Sequence, residues 1–374
     1  MKLLKPQIIR KKIKAKLSPA NLPLDRINEV WGYYDLGVLE QVRSPDAGKR
    51  SDTVLIKSSK GNFALKAYTP HLGQDGILFE HSVIQFLQTV NYPTPGLIEN
   101  RLGQTVTHMA DRSYACYKFA KGERYTDYFL SPKTSELMLR QSARALAEYH
   151  LLIKDFLPDG HKAEGFQPGT CQRERGKDWY LNELALVYTV LFYNNLEEAS
   201  RLMGKKVSAI MDQWLTIQSE FIDLHDRLEG VDPPPLPILA IHGDFGPYNL
   251  LFHRNKLSAV LDFECTHLDW RLTDVLSALV RFCRRRQGDL NQAMAATFLA
   301  NYQSIWPLEP AEIEAAQSVF KLARYHNVIK ALSKYRLTGQ EDSLQAAEAS
   351  LAQILSPGRL TLADTLGCIF KGKA

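Results

Sequence analysis

The sequence has no G-x-G-x-x-G segment, so neither a dinucleotide-binding turn nor the glycine-rich phosphate cover of protein kinases is predicted. Its one approach to a Walker A loop, Gly48-Lys49, fails on both sides. Arg43 stands where the first glycine belongs, and Arg50 where Ser or Thr would meet Mg2+. Cysteine is sparse: Cys116, Cys171, Cys265, Cys283 and Cys368 are scattered without C-x-x-C spacing, which argues against a disulfide framework or a zinc site and for reduced thiols. Long apolar runs are missing too. The longest, Leu184 to Tyr193, is interrupted by Thr189 and falls short of the ~18 residues needed to span a bilayer. The first sixteen residues contain no acid, and no apolar core of a secretory leader, so a cytoplasmic location is expected.

That missing acid accounts for the net charge. Lys2, Lys5, Arg10, Lys11, Lys12, Lys14 and Lys16 supply seven positive charges, so of the total of +5 the rest of the chain carries 5 − 7 = −2. The body is not basic, the terminus reads as a solvated tail, and no nucleic-acid partner is expected. A second cluster, Arg281, Arg284, Arg285 and Arg286, reads as a cap on a helix C-terminus. With 374 residues, 45% hydrophobic and 23% charged, the chain fits an ordinary enzyme of two lobes with a cleft.

What is present is a polar constellation between two apolar runs. His242-Gly243-Asp244-Phe245-Gly246-Pro247-Tyr248-Asn249 follows Ile238–Ile241, and Asp262-Phe263-Glu264 follows Ala259-Val260-Leu261. An H-x-D-x-x-x-x-N loop places a carboxylate where a hydroxyl can surrender its proton and an amide where it can hold a metal; the next Asp supplies the second metal ligand. The two apolar runs are expected to form one buried strand pair. Asp244 is thus the candidate catalytic residue, and Asn249 and Asp262 the candidate Mg2+ ligands. Glu264 can join that metal site or face water. His150 and His242 read as structural, since Asp244 already provides the base.

Upstream, Leu36–Val42, Thr53–Ser58 and Asn62–Ala67 are enriched in Val, Leu, Ile or Phe and separated by turn residues, which predicts an antiparallel meander. A helix is predicted over about 76–90, ending before Tyr92-Pro93, and two more strands over 104–109 and 114–119. Lys66 ends the third strand and Glu80 lies fourteen residues on, in the helix. A carboxylate held there would aim the ammonium at nucleotide phosphates. The loop from Ser44 through Gly48 to Ser51 is left to cover the phosphates. From Ser131-Pro132 the pattern turns helical: helices follow over about 131–150, 178–228 and 272–354, the last two flanking the motif.

Taken in order, Phe63-Ala64-Leu65-Lys66, Glu80, Tyr117-Lys118-Phe119-Ala120-Lys121-Gly122, Ala145–His150, the loop from His242, Leu261–Glu264 and Asp274 resemble the aminoglycoside phosphotransferase and choline kinase superfamily over about residues 30–330. The early layout, with Tyr92-Pro93-Thr94-Pro95, resembles its homoserine-kinase-like branch. The resemblance implies an α+β, two-lobed protein-kinase-like fold: a small antiparallel sheet lobe with one main helix, and a larger, mostly helical lobe. Residues 1–30 would be a basic extension, 31–122 the nucleotide-binding lobe and 123–374 the helical lobe. It further implies ATP or GTP at a hinge formed by Tyr117, Phe119 and Ala120, Mg2+, and transfer of the γ-phosphoryl group to a hydroxyl of a small metabolite or aminoglycoside-like acceptor. Asp274 would buttress the catalytic loop. An amino-alcohol acceptor, an atypical protein kinase and a nucleotide-binding pseudokinase are the alternatives. Gly243 replaces the arginine of H-R-D, and only nine residues separate Glu264 from Asp274, which disfavours a peptide-docking activation loop.

Overall fold

A computed structural model describes residues 22–44, 52–69, 72–109, 112–125, 132–162, 181–186, 214–229, 236–283 and 290–355. Gly48, Ser51, the basic tail, most of the stretch 178–228 and the end of the chain lie outside the described residues. The chain divides into two compact units. One takes the described residues of Met1–Tyr125 with Pro158–His161 and Tyr248–Glu264; the other takes those of Thr126–Leu157, Lys162–Pro247 and Cys265–Ala374.

The first unit is built on a six-stranded antiparallel sheet. β1 (Leu39–Arg43), β2 (Asp52–Ser58) and β3 (Gly61–Ala67) form the predicted meander, and β6 (Ser113–Lys118) pairs with β3. β4 (Leu97–Ile98) and β5 (Thr107–His108) both pair with β6. The register Leu65↔Cys116 and Lys66↔Ala115 sends neighbouring side chains to opposite faces, because strand periodicity is two. Leu65, Val54, Ile56 and Cys116 meet Ile27, Val30 and Trp31 of α1 (Leu24–Trp31) in one buried cluster. Lys66, one residue on, faces away from that cluster. α2 (Gly73–Thr89) stops where Asn91 turns left-handed, φ 56°, one residue before Tyr92-Pro93, as the prolines require.

β7 (Glu123–Arg124), β9 (Leu250–His253) and β10 (Lys256–Val260) form a second, three-stranded sheet of this unit. The expected pairing of the apolar runs around the motif is therefore corrected. Val260 lies in a β9–β10 hairpin, whereas β8 (Ile238–Ile241), in the other unit, pairs with β11 (His267–Trp270). The second run is taken by its neighbour in sequence: Arg254 and Asn255, both left-handed at φ 51° and 61°, close a tight two-residue hairpin of the kind that favours φ > 0 at both positions.

The second unit is mainly helical: α3 (Pro132–Ile153), α4 (Trp214–Glu229), α5 (Arg271–Cys283), α6 (Gln292–Gln303), α7 (Pro310–Thr338) and α8 (Glu341–Leu355). α3 packs on α6, α7 on α8, and α4 and α5 both on α7. At the start of α5 the fully buried Arg271 gives its Nε to Glu312 Oε1 at 2.8 Å and its Nη2 to Pro307 O at 2.8 Å and to Glu312 Oε2. Its guanidinium also lies 3.8 Å from the centre of the Trp306 ring. Glu312 in turn accepts from the Glu309 amide at 2.8 Å to complete a capping box on α7. Among the described residues no helix is long and apolar enough to cross a membrane.

Candidate active site

In the first unit, Lys66 Nζ lies 3.3 Å from Glu80 Oε1, 3.4 Å from Asp262 Oδ1 and 3.0 Å from Glu264 Oε2. Glu80, 14 positions on, and Asp262, 196 positions on, thus meet one ammonium together with Glu264. Burial of the lysine opposes its charge, but Glu80, Asp262, Tyr117 and Glu264 outweigh that and raise its pKa well above the ordinary value, so it is protonated. Glu80 is itself buried, midway along α2. Glu264, left between metal and water on sequence grounds, reaches the lysine. Tyr117, assigned to the hinge, turns its hydroxyl to Glu80 Oε1 at 3.3 Å. Phe119 and Ala120 follow β6, with Phe119 exposed, and Ser44 follows β1, half-buried. The Lys118 amide donates to Gly96 O at 2.8 Å, which fixes the strand end that precedes them.

Asn249 and Asp262 belong to the same unit. The Leu261 amide donates to Asn249 O at 2.8 Å, which brings the two segments side by side. Asp262 holds φ +63°, a left-handed conformation that costs a non-glycine residue of order 1–3 kcal/mol and recurs at functional sites. Its side chain keeps 42% exposure beside the buried Lys66. Among the described residues no three His, Cys, Asp or Glu side chains form a metal cluster. One exposed carboxylate and one amide oxygen fit Mg2+ all the same, because that ion takes few protein ligands and completes its shell with phosphate oxygens and water.

Asp244 lies in the second unit; the loop passes from one unit to the other between Pro247 and Tyr248. The loop leaves β8 and is anchored by α5. Asp274 Oδ2 accepts the His242 amide at 2.8 Å, and Oδ1 the Gly243 amide at 3.2 Å. Burial keeps the His150 imidazole neutral, so Nε2–H donates to Asp274 Oδ2 at 3.2 Å and Nδ1 accepts from Tyr302 Oη at 2.8 Å. Although burial opposes it, these donors hold the Asp274 carboxyl below its ordinary pKa. Tyr149 Oη adds a 2.6 Å bond to Ala240 O. Gly243 turns at φ +73°, and a β-carbon there would sit 2.3 Å from Cys265 O; only glycine fits. Asp244 Oδ1 itself receives Arg281 Nη2 at 2.8 Å.

The sequence reading missed that last contact. Arg281 does lie in the last turn of α5, where a macrodipole cap is the simplest reading, yet its guanidinium goes to Asp244 and lies near Phe245 O and Gly243 O, at 3.4 and 3.5 Å. A signal was available: Arg281 is seven residues, two helical turns, after Asp274, so both share one face of α5. Tyr68, His81 and Thr105, described below, were missed as well, because a buried polar chain has no periodicity in sequence.

A model of the phosphotransferase enzyme family matches residues 41–308 of the chain. Homoserine kinase of Parvibaculum lavamentivorans is 23% identical over 299 residues, covering 79% of this chain and 80% of that protein. Among solved structures, amicoumacin kinase hAmiN in complex with AMP-PNP, Ca2+ and Ami superimposes with a TM-score of 0.64 at 14% identity, covering 92% of this chain and 97% of that one. A microcompartment-associated aminopropanol kinase gives 0.60 at 17% identity, covering 92% and 99%.

Proposed function

Since this chain belongs to the phosphotransferase enzyme family, a kinase acting on a small-molecule hydroxyl, we propose that it moves the γ-phosphoryl group of ATP, with Mg2+, onto an alcohol that also bears an amine. The observation that carries the reading is the meeting of Lys66, Glu80 and Asp262 within 3.4 Å. A buried, charged lysine tied to one helix carboxylate and one metal-type carboxylate suits nucleotide phosphates. ATP is favoured by the AMP-PNP in the amicoumacin kinase complex. The amine-bearing acceptor follows the homoserine and aminopropanol kinases among the similar proteins.

Each residue then has a task. Lys66, aimed by Glu80, offsets charge on the nucleotide phosphates, with Phe119 and Ala120 supplying the hinge for its base and Ser44, Gly48 and Ser51 the cover. Asp244 orients the acceptor hydroxyl and takes its proton as that oxygen bonds to the γ-phosphorus; the bond from phosphorus to the ADP oxygen breaks, and the proton passes to solvent. Arg281 fixes the rotamer of Asp244. Asp274 holds the amides of His242 and Gly243, so the loop is ordered before the acceptor arrives. Asn249 and Asp262 would hold Mg2+, which when bound neutralises phosphate charge.

The test is ADP release from ATP with a panel of homoserine, aminopropanol, aminoglycosides, plain sugars and a generic protein. Turnover is expected with an amine-bearing alcohol, to require a divalent cation, and to disappear in Asp262→Ala. Metal-dependent turnover that survives Asp262→Ala, or label from γ-labelled ATP appearing only on polypeptide, would sink the reading.

A further inference from the structure

Behind the Lys66–Glu80 pair runs a line of polar side chains in the first unit. Tyr117 Oη is 3.3 Å from Glu80 Oε1 and 2.7 Å from Tyr68 Oη; Tyr68 Oη is 2.9 Å from His81 Nε2; His81 Nδ1 is 2.8 Å from Thr105 Oγ1. We infer that Tyr117, Tyr68, His81 and Thr105 form a hydrogen-bonded chain of fixed direction that positions Glu80, and through it the ammonium of Lys66, for phosphoryl transfer. The inference rests on the reading that Lys66 holds nucleotide phosphates.

The direction follows from counting protons. Glu80 Oε1 already accepts from Lys66 and, as a carboxylate oxygen, has no proton to give, so Tyr117 must donate to it. Tyr117 has only one hydroxyl proton, and must therefore accept from Tyr68. Tyr68 must in turn accept from His81, which puts the imidazole proton on Nε2. That leaves Nδ1 as an acceptor for the Thr105 hydroxyl. Burial drives the His81 pKa down to about 3, so the ring carries one proton and cannot serve both neighbours as donor. With the proton on Nδ1 instead, Tyr68 would donate to His81 and Tyr117 to Tyr68. Two oxygens, Tyr117 Oη and Glu80 Oε1, would then face each other at 3.3 Å with no proton between them. Tyr68 and His81 are almost fully buried, at 1% exposure each, so solvent does not substitute for a missing partner. Glu80 Oε2 is buried without a hydrogen bond among the described residues, so the carboxylate is oriented through Oε1.

The chain matters because Lys66 has competing attractions. Asp262 and Glu264 draw the same ammonium at 3.4 and 3.0 Å. Removing the proton that Tyr117 gives to Glu80 lets that carboxylate swing, and the lysine shifts toward its other two partners. Tyr117 thus acts through Glu80. Thr105, at the far end, gives its hydroxyl proton to the Nδ1 left bare by the tautomer that Glu80 imposes, and so keeps that buried nitrogen satisfied.

The experiment is a variant series in the full chain with ATP and the best acceptor of the panel above. Tyr117→Phe is expected to lower kcat/KM for ATP by about ten- to a hundredfold, the range for one hydrogen bond to a charged group, with KM for the acceptor unchanged. Thr105→Val is expected to lower it in the same sense by about two- to fivefold, a fraction of one neutral hydrogen bond. Nitrogen NMR of His81 should report an Nε2–H imidazole in the parent and in Thr105→Val, where Glu80 still sets the direction, and a tautomer mixture in Tyr117→Phe, where Tyr68 is free to donate to the ring. An Nδ1–H imidazole in the parent overturns the inference, as does kcat/KM for ATP within twofold of the parent in both variants. Lys66→Met separates the two levels. If it leaves ATP kinetics intact, the reading of the site fails; if it abolishes turnover while Tyr117→Phe and Thr105→Val both stay within twofold of the parent, only the chain fails. Should Tyr117→Phe melt early, the Thr105 variant and the parent tautomer still decide the matter.

Discussion

Replacing Asp274 by Asn probes the anchor of the loop that begins at His242 with a loss of charge and almost no change in shape. The native carboxylate accepts three hydrogen bonds: the His242 amide at 2.8 Å and His150 Nε2 at 3.2 Å on one oxygen, and the Gly243 amide at 3.2 Å on the other. Asparagine keeps one acceptor and turns the other into a donor. Whichever way its amide flips, a backbone N–H of the loop faces an NH2 group, and at 1% exposure of Asp274 water does not step in. A hydrogen bond to a charged group contributes about 1.5–3 kcal/mol, and an orphaned buried donor costs about 1–3 kcal/mol. The loop conformation therefore loses on the order of 3 kcal/mol, about a hundredfold in rate at 1.36 kcal/mol per decade. Steady-state ADP release at saturating acceptor is the assay, with nucleotide affinity and thermal unfolding measured alongside. The expected result is kcat down about a hundredfold and Tm lower by about 5–10 °C. Nucleotide affinity should stay within about threefold, since Lys66, Glu80 and Asp262 belong to the other unit. As a comparison, Glu136→Gln, in an exposed i,i+4 pair with Arg140, should change stability by less than about 0.5 kcal/mol. A kcat within threefold of the parent, or a loss confined to nucleotide affinity, would refute the anchoring argument.

Four other outcomes follow from the same geometry. Arg281→Ala should lower kcat about ten- to a hundredfold by releasing Asp244, with KM for ATP unchanged and partial rescue by added guanidinium. Gly243→Ala, whose β-carbon would lie 2.3 Å from Cys265 O at φ +73°, should abolish turnover and lower Tm, both read on the purified variant. Glu312→Gln strands the fully buried Arg271 guanidinium and should cost about 3–5 kcal/mol in denaturant unfolding, with the double change Arg271→Met, Glu312→Leu recovering most of it. Because the folded-state pKa of His81 is depressed from 6.5 to about 3, its contribution is fully present above pH 6.5 and is lost as pH falls toward 3. Over that window the unfolded chain binds the extra proton, so stability should drop by about 1.4 kcal/mol per pH unit, and a His81→Gln variant should show a shallower acid limb.

The readable parts of the fold were those whose cause is local. β2 alternates in burial as a strand must when one face is covered, β3 joins it across a short turn, and α2 ends at prolines. α1 was not read, since Leu24–Trp31 is eight residues long and lacks a side-chain cap; it is held by tertiary burial of Ile27, Val30 and Trp31. The pairing of β8 with β11 escaped because β11, His267–Trp270, carries two polar residues in four, so apolarity pointed to the wrong partner. Within the site, Lys66 and Glu80 were legible from strand and helix register. The contacts of Arg281 and of the Tyr117–Thr105 chain were not, because they depend on which side chains share a buried volume.

The segment Pro158–His161 and the β9–β10 hairpin carry a consequence for synthesis. Both complete a unit that begins far upstream: the Asp159 amide donates to Ser82 Oγ at 3.0 Å, Gly160 leaves no room for a side chain against Asp75 O, and β7 finds its ladder partner in β9. A nascent chain that has emerged only to Tyr125 therefore holds the six-stranded sheet but not the strands that close the unit. It must wait for residue 264, 139 residues later, or roughly ten to thirty seconds at ribosomal speed. Over that interval β7 is an unsealed edge, and a fragment cut at Tyr125 would keep that edge permanently. Vectorial synthesis thus delivers the lysine early and its aspartate late, and the site matures only once the second hairpin has left the ribosome.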